Sequence, residues 1–243
     1  MKTIIFLLGF SLYLFLDMAF GYQQNGYKVG QDYFQNDALL NQVLTLQDTS
    51  IIMCYTASFQ MYIEILNQDL QIRKNKFSIQ SNDENKQSFS DAATFNNGNF
   101  VILWKNAQIF SKDGEKLFDE IHLANDTSIS IEKTKVVVLS NDNFVIVWQK
   151  RESKKRYLCS QLFSSSGGKI GNESQILVKV EQNTNRIDFK ILELENYSYV
   201  IAWLNYEWPD NYGYYCNYQL FSSDGNSNNQ INRLETGPCD FFS

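Results

Sequence analysis

Phe100-Val-Ile-Leu-Trp104, Phe144-Val-Ile-Val-Trp148 and Tyr199-Val-Ile-Ala-Trp203 are three versions of one five-residue segment, and Ile51-Ile-Met-Cys-Tyr55 is a weaker fourth. The tryptophans stand 44 and then 55 residues apart, so the segment keeps its length while the chain between copies varies. Downstream of three copies an aromatic is followed four residues later by glycine: Phe110/Gly114, Phe163/Gly167 and Phe221/Gly225. Leu66-Asn-Gln-Asp-Leu70 holds that place after Tyr55. Upstream lies another apolar stretch, such as Val136-Val-Val-Leu139, joined to its neighbour by Ser140-Asn-Asp-Asn143.

Each unit therefore reads as strand A, tight turn, strand B, variable loop, strand C, glycine turn, strand D. In the third copy the strands are expected near 135–139, 144–149, 157–163 and 168–178. β-Branched and aromatic residues fill the strands, and Asn, Asp, Ser and Gly the turns. Four strands per unit at this period predict an all-β, β-propeller-like array of about four four-stranded blades, as a closed ring or an open arc. The blades are expected near 37–81, 82–126, 127–180 and 181–234 of a single repeat domain spanning 22–243. An N-terminal strand near 27–36 would close a ring by pairing with the last blade. An arc would leave open edges, through which chains self-associate.

The segments resemble a repeat of secreted and surface proteins in bacteria and ciliates, approximately F-V-V-x-W-Q followed by Q-x-F-x-x-x-G-x-x-x-G. Phe144 to Gln149, Gln161-Leu-Phe163 and Gly168-Lys-Ile-Gly171 match it best, Gln219-Leu-Phe221 matches in the fourth copy, and Tyr27-Lys-Val-Gly30 looks like an orphan strand D. The matching residues are structural, and the resemblance implies no defined activity.

Composition is that of a folding chain: 243 residues, 44% hydrophobic, 15% aromatic and 20% charged. The net charge of −6 argues against a general nucleic-acid binder, which is usually basic. A single histidine removes His-rich metal sites, and neither a metal nor a cofactor is expected.

Met1-Lys2-Thr3 followed by an apolar run from Ile4 to Leu16 reads as a secretory signal peptide, with Ala19-Phe20-Gly21 placing cleavage after Gly21. The run is short for a membrane span. The mature chain, 22–243, is thus expected outside the cell or at its surface, with no span of its own; a signal kept as an anchor is the alternative. All four cysteines, Cys54, Cys159, Cys216 and Cys239, fall in that mature part. Cys54 takes an inward strand slot and reads as a buried free thiol, whereas Cys216 with Cys239 would pin the tail to the last blade. Asn125, Asn172 and Asn196 begin N-x-S/T sequons and are glycosylation candidates.

Short A–B turns mark one end of such a blade and B–C loops the other. The B–C loops differ most, so that end is the expected recognition face. The fourth, Asn205 to Tyr215, offers Tyr206, Glu207, Trp208, Asp210 and Tyr212, aromatic faces and polar groups suited to stacking on a sugar or a protein partner. The third, Lys150 to Arg156, carries Lys154, Lys155 and Arg156, which would meet sulfated glycans or anionic headgroups, or simply be a solvated hairpin. Trp104, Trp148 and Trp203 read as blade core, and His122 as a solvent-facing strand residue. No nucleophile elbow, zinc helix, P-loop or calcium loop is present. The leading expectation is a binding module for a glycan or protein, with a ligand-free structural component next. A glycosidase working through two carboxylates, with Glu207 and Asp210 as candidates, is the third reading.

Overall fold

The computed structural model describes residues 39–57, 60–79, 89–124, 129–153, 155–180, 188–207 and 213–234. They form sixteen strands and one 3-10 turn, Glu195–Tyr197. The strands fall into four antiparallel sheets of four, each in sequence order. The first holds β1 (Leu39–Thr45), β2 (Ile51–Ala57), β3 (Gln60–Leu66) and β4 (Ile72–Ser78). The second holds β5 (Asp91–Thr94), β6 (Phe100–Leu103), β7 (Asn106–Phe110) and β8 (Lys116–His122). The third holds β9 (Ser130–Val138), β10 (Phe144–Glu152), β11 (Lys155–Phe163) and β12 (Lys169–Val180). The fourth holds β13 (Phe189–Glu193), β14 (Tyr199–Glu207), β15 (Gly213–Phe221) and β16 (Asn232–Arg233). Among these residues no helix is long and apolar enough to cross a membrane.

The fold is thus an all-β, propeller-like array of four meander sheets. Three apolar cores lie between consecutive sheets, first on second, second on third, third on fourth. Such stacking explains the decisive sequence segment. A strand covered on one face alternates apolar and polar residues, but a strand sandwiched between two neighbours must be apolar throughout. Phe100 to Leu103 and Phe144 to Val147 are fully buried for that reason. Phe100, Ile102 and Trp104 face the preceding sheet, whereas Val101 and Leu103 face the next.

The aromatic that accompanies each copy has a partner across the strand pair. Phe100 stacks on Phe110 at 5.4 Å, Phe144 on Phe163 at 5.2 Å and Tyr199 on Phe221 at 4.9 Å. In the first sheet Ile51 opposes Leu66 in the same register. Trp148 and Trp203 are buried in the inter-sheet cores.

The first strands of consecutive sheets lie side by side: β1 by β5, β5 by β9 and β9 by β13. Each is an edge strand whose open backbone groups need partners. For β5 and β9, side chains of the preceding sheet supply some of them. Asp91 accepts from the Val136 N–H at 3.0 Å, and Ser90 Oγ donates to the Thr134 carbonyl at 2.9 Å. Gln42, from the first sheet, donates to the Ala92 carbonyl at 3.0 Å. The described sheets do not close into a ring. The fourth sheet exposes Leu192 and Leu220 on the face turned away from the third. The strand expected near 27–36, and the signal segment, lie outside the described residues.

Candidate functional site

The two ends of the array differ in kind. At one end lie eight turns built alike. In each, the residue leaving a strand donates its N–H to the carbonyl four residues on, as in Phe95 to Asn99, Leu139 to Asn143, Ser111 to Glu115 and Ser164 to Gly168, all at 2.7–2.8 Å. A left-handed residue closes each loop: Thr49, Gly98, Asp142 and Tyr197 between the first and second strands, Leu70, Gly114, Gly167 and Gly225 between the third and fourth. This is the three-residue hairpin with a left-handed last position. Polar groups at this end are spent on one another. Arg73 bridges Asp48 and Asp113, Lys74 meets Glu115 at 2.5 Å, and Glu193 accepts from the Ser140 N–H and hydroxyl at 2.7 and 2.8 Å. Each of the last three contacts joins two sheets. The Ser50 hydroxyl and N–H hold the Asp48 carboxyl below its ordinary range, with Arg73 adding to the effect.

The opposite end carries the hairpins between second and third strands, and these are unequal. The β6–β7 ladder stops at Leu103 opposite Ala107, where the Trp104 N–H closes on the Asn106 carbonyl at 2.9 Å. The β10–β11 ladder runs past Trp148 to Glu152 opposite Lys155, and β14–β15 runs past Trp203 to Glu207 opposite Gly213. The described parts of the segments expected as loops are therefore mainly strand: Lys150–Glu152 and Lys155–Arg156 in the third sheet, Asn205–Glu207 and Gly213–Tyr215 in the fourth. Extending a paired ladder satisfies the backbone groups that face the partner strand without a core, and charged side chains tolerate it by pairing across strands. Two projecting hairpins thus stand on neighbouring sheets at the same end.

Three basic residues of the third hairpin, Lys150, Arg151 and Arg156, are held by carboxylates. Glu132 on β9 accepts from Gln149 Nε2 at 2.7 Å and Arg156 Nε at 3.1 Å, and Arg151 Nε lies 3.4 Å from its other oxygen. Lys150 Nζ meets Glu173 on β12 at 2.7 Å. Arg156 is thus tied back to the sheet, while Lys155 is exposed and Lys154 lies outside the described residues. Tyr206 and Glu207 are placed on β14 opposite Tyr214 and Gly213, and Trp208, Asp210 and Tyr212 lie outside the described residues. Sequence reasoning missed Glu132. Simple alternation could not have found it: Glu132 sits at a bulge in the β9–β10 pairing, with Ile131 packed in the core toward the second sheet and Lys133 reaching Asp188 beside the fourth.

Cys54 and Cys159 are buried free thiols, and burial pushes both up to about 12. Unlike these inert groups, Cys216 is disulfide-bonded; Cys239 lies outside the described residues. Of the sequons, Asn172 is exposed on β12, Asn196 is exposed in the turn between β13 and β14, and Asn125 is outside the described residues. His122 is exposed, as its strand position predicts, with Glu120 at 4.0 Å. The carboxylates of the inner strands are occupied. Asp91 holds the Val136 and Ala92 N–H groups, and its burial raises its carboxyl above the ordinary range despite those bonds. Asp188 is paired with Lys133. Among the described residues no group of side chains suited to a metal ion occurs.

No protein-family model matches this chain, and no curated protein does. Solved structures do. A protein of unknown function from Dyadobacter fermentans matches with a TM-score of 0.50 at 10% identity, covering 82% of this chain and 65% of that one. An endo-arabinase from Bacteroides thetaiotaomicron matches at 0.47 and 11% identity, covering 80% of each. The β-propeller domain of the trilobed protease from Pyrococcus furiosus, described as having an open velcro topology, matches at 0.46 and 9% identity, covering 82% and 58%. The chain thus spans less than two thirds of the first and third of these structures. At such identities the likeness concerns the fold alone.

Proposed function

We propose that this chain is an exported recognition module that binds a glycan or a protein partner through the tips of the β10–β11 and β14–β15 hairpins. The observation that carries the reading is the inequality of the two ends. The turn end repeats one geometry and spends its charges between sheets, whereas the hairpin end carries two neighbouring projections that the fold does not need. Repeat scaffolds carry recognition where the repeat is broken. In this reading Tyr206, Glu207, Trp208, Asp210 and Tyr212 supply a stacking surface with polar neighbours, and Lys154 and Lys155 a positive flank. Arg156, tied to Glu132, positions that flank and does not bind alone. The disulfide at Cys216 supports the exported reading, since such bonds persist in oxidising compartments, and Cys239 is its proposed partner.

The test is a glycan-array screen of residues 22–243 beside Trp208→Ala. Selective binding by the parent chain that falls at least tenfold in the variant is the expected result. A folded parent that binds nothing on the array overturns the glycan half of the proposal and leaves the protein partner. Binding that survives the substitution removes the fourth hairpin from the site.

A further inference from the structure

The third strand of every sheet carries one polar residue at the same buried slot, two positions before the aromatic that stacks on strand two. It is Gln108, Gln161 and Gln219 in the last three sheets and Glu64 in the first. The slot coincides with a break in the pairing between third and fourth strands, at Ala107/Ile109, Ser160/Leu162 and Ile63/Ile65. Such a bulge leaves carbonyls without ladder partners. The glutamine amide fills the gap. Gln108 Nε2 donates to the carbonyls of Ile109, Leu117 and Phe118 at 3.0, 2.7 and 3.2 Å. Gln161 repeats this toward Leu162 and Ile170 at 2.9 and 2.8 Å. Gln219 donates to Ser227 Oγ at 2.6 Å.

A carboxylate cannot donate. Glu64 is nonetheless as buried as its counterparts, only 1% exposed, and its Oε1 has no hydrogen-bond partner. It faces away from the second sheet with Ile51, Met53 and Leu66. The titratable groups on that face, among the described residues, are Tyr55, Tyr62 and Lys76. Lys76 is the one cation, and it rests 5.5 Å from the Tyr62 ring. We propose that Glu64 is held as a neutral carboxylic acid that stands in for the glutamine of the other repeats, so that rising pH loosens the first sheet. Desolvation pushes its carboxyl above the ordinary range, against the attraction of Lys76, which agrees with the geometry.

The sign follows by linkage. Below the ordinary glutamic acid value of about 4.3 both folded and unfolded chains hold the proton, and the contribution is fully present. As pH rises the unfolded chain ionises first, and the contribution is lost as pH passes through the raised folded value. Glu64→Gln removes the titration while keeping the donor. Its melting temperature should match the parent at pH 4 and exceed it by about 4 °C or more at pH 8. Infrared spectra of the parent, recorded just above the ordinary glutamic acid range at about pH 5, should show a neutral carboxylic acid carbonyl band that Glu64→Gln abolishes. A difference independent of pH, a variant less stable than the parent at pH 8, or a parent without that band would each overturn the proposal.

Discussion

At the scale of single residues, one glutamine amide helps to hold the fourth strand in the second and third sheets. Gln161 donates from a fully enclosed slot to two carbonyls that the bulge leaves open. Gln161→Leu keeps the shape and removes the donor, so it should cost about 1–3 kcal/mol, the penalty for burying unsatisfied carbonyls. Chemical denaturation with an unchanged slope would register the loss. The Q-x-F pattern was legible in the sequence as a repeat, but its chemistry was not, because a donor and its acceptors nine residues apart meet only across a bulge. Glu64 was hidden further. Its sheet lacks the stacked aromatic, so the repeat is aligned there by Leu66 and the polar slot stands two residues before it. The three tryptophans show the reverse. Their recurrence at one position was enough to assign them to the core, and all three are buried.

At the scale of elements, the turns carry the clearest constraint. Gly98 and Gly114 both sit in the left-handed region, at φ of +85° and +80°. A side chain is strained at either, but the space differs. A Cβ on Gly98 would meet only Lys112 at 3.6 Å, whereas on Gly114 it would meet Phe77 Cε1 at 2.9 Å and Ile65 Cδ1 at 3.2 Å. Gly98→Ala should therefore cost about 1 kcal/mol for its backbone alone, and Gly114→Ala distinctly more because the buried Ile65 and the Phe77 ring must give way. Thermal melts of the two variants should rank in that order; equal losses would show that the close approach of Gly114 to the first sheet is not felt. The turn sites were legible from Asn, Asp, Ser and Gly. The projecting hairpins were not. Lys150 to Arg156 has neither apolar alternation nor a core to face, and its strand character comes from Glu132 and Glu173 on neighbouring strands pairing with its cations.

At the scale of the whole molecule, four sheets are stacked by three apolar cores and stitched at their inner edges by Gln42, Ser90 and Asp91. The count of four and the order of strands were legible because every sheet repeats the same words. Closure was not, since whether the first and last sheets meet depends on the small rotation between neighbours, which no residue pattern encodes. Stacking fixes the backbone up to the repeated aromatic at the end of the decisive segment, Tyr55, Trp104, Trp148 and Trp203. What lies beyond it in the third and fourth sheets is the part that the proposed recognition uses. The most direct measurement is to shorten the fourth hairpin, joining Asn205 to Tyr215, which face each other in the ladder, through a two-residue Asn-Gly turn. The shortened chain should keep its circular dichroism and melt within a few degrees of the parent while losing the ligand that the parent selects. Loss of the fold on shortening, or undiminished binding by a folded shortened chain, would contradict the account.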